Sequence, residues 1–425
     1  MNSPRYLTGG SKAILYARIA VHVVLRYLPL SRNPLGYARF LLRALRLLRV
    51  FAPHKAVRVA EGFKLHLYLP AYPSESFFYA LESKLLRTPP GPVTIVFSMT
   101  KRCTYKCPHC YQRRDANEDV PEEALLETTR NLRDAGVAMF DVEGGDPFLR
   151  FERLRKVLQE LDERAEVWVN STGANVDVPR LEQLKRDGLF GLMISVHSPD
   201  PEKHDAFTGI PGSFVLACDA ARMCRELGLA LALNSVLSEG EIKAGHLDRL
   251  MDLARDLDAD YVQLIHPKPA GKWLENTEQM QREHALIERV RAEHRRYNSS
   301  AAAGHPALAA QVAEEAPGSL GCTAGAVDRF YINAAGEMQP CEFLNLSFGN
   351  LNEESFETVL RRMRSYFPIP GVDWLCCTQA EAVAALMKKH GLTRTPVPWE
   401  YARELVETWD RGTPTPLYKD LGIYE

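Results

Sequence analysis

The stretch Lys101-Arg-Cys-Thr-Tyr-Lys-Cys-Pro-His-Cys-Tyr-Gln112 places Cys103, Cys107 and Cys110 on one loop, directly after the strand-like run Val93-Thr-Ile-Val-Phe-Ser98. Three thiolates closing on one loop can hold three irons of a four-iron cluster, which leaves the fourth iron without a protein ligand. An open metal position is a catalytic position, by the logic that separates catalytic from structural zinc. Zinc is the weaker reading, because His109, between Cys107 and Cys110, is badly placed to join both neighbours on one tetrahedral ion. A disulfide framework fits no better, since nine Cys in 425 residues is an odd and sparse count with no secretory signal. Chance spacing among buried thiols is the plain alternative, so the elements around the loop have to decide.

Those elements alternate. From Pro92 to about Pro267, short β-branched runs are separated by amphipathic helical ones, the pattern of βα units around a parallel sheet. The spacing predicts six strands: Val93–Ser98, Met139–Glu143, Glu166–Asn170, Gly191–Val196, Ala230–Ser235 and Tyr261–His266. Among the intervening helices, Pro121–Ala135 opens with two Glu and stops at Gly136, and Arg180–Asp187 stops at Gly188. In barrels built this way the chemistry gathers at the C-terminal ends of the strands. Glu143-Gly144-Gly145-Asp146-Pro147 follows the second strand, where paired glycines allow close backbone approach to a ligand; alone, it is only a turn. Asn170-Ser-Thr-Gly-Ala-Asn175 follows the third, Ser195 and His197 mark the fourth, Asn234 the fifth, and Ile265 and His266 the sixth. His197 and His266 are candidate proton-transfer groups, against the plainer reading of hydrogen-bonded histidines at the barrel rim.

Taken in this order, the motifs resemble the radical S-adenosylmethionine (SAM) superfamily. The resemblance, carried by residues 90–270 or so, implies a partial (β/α)6 TIM-type barrel in an α/β chain. It implies that Cys103, Cys107 and Cys110, with Tyr111 completing the signature, hold a 4Fe-4S cluster whose open iron binds the amino and carboxylate groups of SAM. Glu143–Pro147 looks like the family's GGEP motif with Asp in place of Glu, and Ser195 and Asn234 take the family's ribose and carboxylate contacts. Where an Arg often precedes the glycine after His204-Asp205, this chain has Ala206-Phe207-Thr208, which leaves Lys203 as the candidate carboxylate partner. Ile265 lies on the strand that meets adenine through its backbone, although Leu264 and Ile265 also suit plain barrel core. A second cysteine group, Cys322, Cys341, Cys376 and Cys377, around a strand-turn-strand pattern at Arg329–Cys341, resembles the SPASM and twitch extensions and implies one auxiliary 4Fe-4S cluster on Cys322, Cys341 and one or both of Cys376 and Cys377. Cys218 and Cys224 read as core.

Net charge is −2, but residues 1–60 hold eleven Lys and Arg and no Asp or Glu, leaving 41 basic against 54 acidic residues beyond them. Ala13–Leu28 and Leu35–Phe51 read as amphipathic helices, separated by Pro29 and by Asn33-Pro34, an N-cap and first-turn proline. No run reaches eighteen uncharged apolar residues. Such helices suit an anionic membrane surface, where each Lys or Arg adds about 1 kcal/mol. The alternative is that they pack their Leu faces on the barrel. Nucleic acid fits less well, because the arm lacks aromatic interleaving and the body is acidic.

The expected order is a basic helical arm (1–60), a linker or pre-barrel segment (61–91), the barrel (92–270), a helical connector (271–320), the auxiliary-cluster extension (321–380) and a helical tail (381–425). The resemblance implies an enzyme that cleaves SAM reductively and takes hydrogen from an unactivated carbon, fed by a one-electron donor such as flavodoxin or ferredoxin. The arm directs the expectation to a lipid or membrane-associated substrate and to a cytoplasmic protein peripheral on the inner membrane face. A peptide-modifying maturase and a non-enzymatic iron–sulfur carrier or redox sensor are the alternatives.

Overall fold

Arg and apolar residues alternate with helical period through the first 50 residues, and they fold accordingly. In the computed structural model, which describes residues 5–60, 62–115, 117–276, 284–410 and 413–424, α1 (Gly9–Arg26) and α2 (Pro34–Val50) form a helical pair. Asn33 caps α2 by accepting the Gly36 N–H at 3.1 Å. Leu15, Ile19, Val23, Phe40, Ala44 and Leu47 turn inward onto α3 (Glu75–Leu85), whereas Ile14, Val21, Leu25, Leu35 and Leu42 stay exposed. The arm therefore does pack on the body, with one face only. No described helix is long and apolar enough to cross a membrane.

Two expectations are corrected here. The arm is not purely helical: β1 (Tyr6–Leu7), β2 (Ala56–Val59) and β3 (Gly62–Lys64) form a small antiparallel sheet flanking the helices. Nor is 61–91 a bare linker: it is a folded pre-barrel segment that carries β3 and then α3, capped by Ser74. Residues of this segment close the N-terminal mouth of the barrel. Val57, Val59, Leu67 and Ala71 pack against Met139, Trp168, Met193, Ala232 and Tyr261. Lys64 and Glu166 form an ion pair inside this plug, and Trp168 Nε1 (2.8 Å) and the Ala71 N–H (2.7 Å) also donate to the carboxylate.

The barrel strands are β4 (Thr94–Ser98), β5 (Met139–Glu143), β6 (Glu166–Ser171), β7 (Leu189–Ser195), β8 (Ala230–Val236) and β9 (Tyr261–Ile265), each parallel to the next. Helices between them bury Leu125, Leu132, Leu154, Leu181 and Leu250 on the outside of the sheet. The helix Glu122–Ala135 stops at Gly136, whose φ of +105° ends the helical ladder.

The sheet does not end at six strands. β10 (Ala307–Ala310) lies parallel beside β9, within the segment expected to be a helical connector. The part of that connector spanning 277–283 lies outside the described residues, and the helix His284–Tyr297 follows it. At the opposite edge β11 (Arg329–Ile332) pairs parallel with β4, and β12 (Met338–Gln339) folds back on β11. The order is therefore β10-β9-β8-β7-β6-β5-β4-β11-β12, and the boundaries at 270 and 321 do not divide the sheet. The tail returns to the arm, where Arg46 donates to the Asp420 carbonyl at 2.7 Å and Tyr418 and Leu421 join the core beneath α2.

Candidate active site

The cysteine loop is held by the strand next to it. Beyond β4, Met99 donates to the Glu143 carbonyl at 2.9 Å, Gly145 donates to Thr100 at 2.6 Å and Asp146 to Arg102 at 2.7 Å. A Cβ on Gly144 (φ +153°) would lie 2.2 Å from the Thr100 oxygen, and one on Gly145 only 2.0 Å from that of Arg102. The close approach that this glycine pair permits is thus to the protein's own cysteine loop. Asp146 serves the same end: its carboxylate caps Phe148 N–H (3.1 Å) and accepts from Ser171 Oγ (3.2 Å) and Thr172 N–H (3.1 Å). Three strand ends are tied together in this way.

Above them is a cavity of about 530 Å³, lined by Cys103, Cys107 and Cys110 and by Tyr111, Glu143, Gly144, Gly145, Ser195, His197, Asn234, Ile265 and His266. Ser195 and Asn234 are register partners on β7 and β8. Three expected residues are absent from the lining. Asp146 is engaged with Ser171 and Thr172, Pro147 is buried at the start of the next turn, and Lys203 is exposed on the helix Pro201–Thr208. The cavity instead includes Asn170, Thr172, Lys268 and Trp273. No spacing in the sequence marks Lys268, which only the turn after β9 brings in.

Burial sets the charge states. It pushes the thiols of Cys107 and Cys110 up to about 11 and about 12, so neutral thiols are favoured until metal ions compensate the thiolates. Glu143 is raised to about 7, chiefly by burial, while Tyr111 Oη, Gln112 Nε2 (3.0 Å) and Asn170 Nδ2 (3.3 Å) donate to it. His266 is lowered to about 3, first by burial and then by Lys268, and burial also takes His197 well below its ordinary value. Both imidazoles are therefore neutral at pH 7.

The second cysteine group gathers beside this cavity. Cys341 follows β12, Cys322 lies in an antiparallel bridge to Gly371, and the Cys376 and Cys377 sulfurs are 4.0 Å apart on the short helix Leu375–Thr378. Lys268 has no hydrogen-bond partner among the described residues, and its Nζ stands 4.0 Å from the Trp374 ring centre. Burial opposes its charge, but Cys376, Cys377, Glu315 and Cys341 outweigh that and hold its pKa above the ordinary value. The site also leaves buried polar atoms without protein partners: Asn170 Oδ1, Asn234 Oδ1, His197 Nδ1 and His266 Nδ1. Three unbridged thiols facing a cavity with such free acceptors fit a cluster with one open iron and a polar ligand on it.

Comparison with known proteins agrees. Residues 97–254 match the profile described as Radical SAM superfamily. The chain is 28% identical over 198 residues to a PqqA peptide cyclase of Gluconobacter oxydans, covering 45% of this chain and 53% of that protein. It thus spans about half the length of that relative. It is 26% identical over 310 residues to a PqqA peptide cyclase of Xanthomonas oryzae, covering 68% and 80%. Among solved structures, Streptococcus suis SuiB bound to precursor peptide SuiA aligns with a TM-score of 0.48 at 17% identity, over 64% of each chain.

Proposed function

We propose that this chain, whose residues 97–254 form a radical SAM domain, is an enzyme that uses a 4Fe-4S cluster and SAM to modify a peptide. Enzymatic identity displaces the electron-carrier alternative. The single observation carrying the peptide reading is that relatives named PqqA peptide cyclase match 67–68% of the chain, well beyond the 97–254 core. The lipid substrate expected from the arm gives way to it.

When bound, the cluster and SAM supply one-electron cleavage of SAM to methionine and a 5'-deoxyadenosyl radical, which takes hydrogen from the substrate. The chain's residues do the rest. Cys103, Cys107 and Cys110 hold the cluster on a loop fixed by Gly144 and Gly145. Asn170, Ser195 and Asn234 offer polar atoms to SAM from three consecutive strands, and Tyr111 and Gln112 hold the Glu143 carboxyl. Cys322, Cys341 and the Cys376–Cys377 pair hold the second cluster, with the Lys268 ammonium offsetting its negative charge.

The test is anaerobic incubation of the cluster-loaded protein with SAM, dithionite and the peptides encoded by short reading frames beside its gene. One peptide is expected to lose two hydrogens, with one 5'-deoxyadenosine formed per modification. Formation that no peptide alters, but that an extracted lipid accelerates, would count against the peptide reading.

A second reading concerns the arm. Leu35 is 81% exposed and Leu25 63%, and Arg18, Arg32, Arg39 and Arg49 of the same arm are exposed as well, which supports docking on an anionic membrane surface. Intact protein is expected to float with phosphatidylserine vesicles but not with neutral ones, and Leu25→Glu with Leu35→Glu to stay behind. Equal flotation of both proteins would reject the dock.

A further inference from the structure

Outside the lining of the cofactor cavity, four side chains converge from distant parts of the chain. His54 follows α2, His66 follows β3, His294 lies on the helix His284–Tyr297, and Glu314 ends the short helix Gln311–Glu314 behind β10. All four are buried, between 4% and 7% exposed. His54 Nδ1 is 3.2 Å from His294 Nε2, and each of those nitrogens is 4.0 Å from Glu314 Oε1. His66 approaches the other carboxylate oxygen, Nε2 to Oε2 at 3.0 Å.

The hydrogen bonds assign the roles. The Tyr68 N–H donates to His66 Nδ1 at 3.1 Å, so a neutral His66 ring carries its proton on Nε2, which lies 3.0 Å from Glu314 Oε2 without the alignment of a hydrogen bond. His66 is thereby a partner of the carboxylate, leaving His54 Nδ1, His294 Nε2 and Glu314 Oε1 to face one another. Ligand atoms about 2.0–2.2 Å from one ion can be at most roughly 4 Å apart, and all three separations meet that limit. Charge points the same way: among the described residues, the ion-pair partners of Glu314 are these three imidazoles and no Lys or Arg. A buried carboxylate in such company lacks a permanent cation.

We propose that His54, His294 and Glu314 bind a divalent first-row ion, zinc by their two-nitrogen, one-oxygen donor set, with His66 orienting Glu314 from behind. The ion would pin the arm and the helix His284–Tyr297 to the turn after β10, where His66 and Glu314 line a second cavity that shares Tyr111, Glu143, Asn170 and Asn234 with the cofactor cavity. None of its residues lines the cofactor cavity itself, and the role assigned to the ion is structural.

The test is metal analysis of the purified, cluster-loaded protein after exhaustive dialysis, together with X-ray absorption at the zinc edge. About one zinc per chain is expected, with nitrogen and oxygen neighbours near 2.0–2.1 Å and no sulfur shell near 2.3 Å. Glu314→Gln and His294→Ala should lower zinc at least tenfold while leaving iron content unchanged. Wild-type protein with full iron that neither carries nor takes up a stoichiometric divalent ion would overturn the assignment, and so would a sulfur shell, which would place the zinc on cysteines. Both readouts use the wild-type chain, so the outcome does not depend on how the variants fold.

Discussion

Replacing Cys103, Cys107 and Cys110 together by alanine is expected to abolish 5'-deoxyadenosine formation while leaving about half of the iron, roughly four atoms per chain, in place. The reasoning is geometric. These three sulfurs line the cavity that also presents Asn170, Ser195 and Asn234, whereas Cys322, Cys341, Cys376 and Cys377 stand beyond Lys268. Removing the first group should remove the cluster that meets SAM and spare the other. The converse variant, with alanine at Cys322, Cys341, Cys376 and Cys377, is expected to lose the other half of the iron yet still cleave SAM when dithionite is the donor. Iron and sulfide analysis with electron paramagnetic resonance separates the two. Loss of all iron in either variant would mean that the sulfurs do not form two independent sites.

Lys64→Met should produce the largest loss of stability of any single change outside the clusters, about 3–5 kcal/mol, because it strands a buried carboxylate. Lys64 and Glu166 both lie inside the plug, with side chains no more than 2% exposed. Lys64 also donates to the Leu69 carbonyl at 2.8 Å, so its loss frees an acceptor as well as a charge. Burial lowers the lysine's pKa and Glu166 works against that, so the ammonium depends on its partner. Adding Glu166→Gln to Lys64→Met removes the stranded charge and should recover part of the loss, which equilibrium urea unfolding of the single and double variants can measure. A single variant that falls by less than about 1 kcal/mol would mean that water reaches the pair.

Much of this was legible in the sequence, for local reasons. Six strands and their helices are bounded by residues whose backbone demands are specific, Gly136 and Gly188 among them, and the cysteine loop follows the first strand directly. The β10 run Ala-Leu-Ala-Ala was not legible, because its propensity is helical and only the open edge of β9 makes it a strand. The hairpin at β11 and β12 was legible as strands, but its pairing with β4 was not, since a parallel contact between distant segments leaves no local pattern. Glu143–Pro147 was found by its glycines, yet their partner proved to be the Thr100–Cys103 backbone. His54, His66, His294 and Glu314 share no period or motif, and only the folded chain brings them together.

The pairing of β11 with β4 makes the auxiliary-cysteine segment a stave of the same barrel that carries the cysteine loop. Arg329 to Ile332 run in register with Thr94 to Phe97, so the chain leading to Cys341 and the chain leading to Cys103 leave neighbouring positions of one sheet. Two clusters held by these cysteines would be fixed to adjacent strands of one sheet, so the distance between them would be set by the strand pairing. The same joint makes the C-terminal quarter inseparable: a chain ending before β11 would bare the hydrogen-bonding edge of β4, a template for aggregation, where the intact protein has a partner already seated.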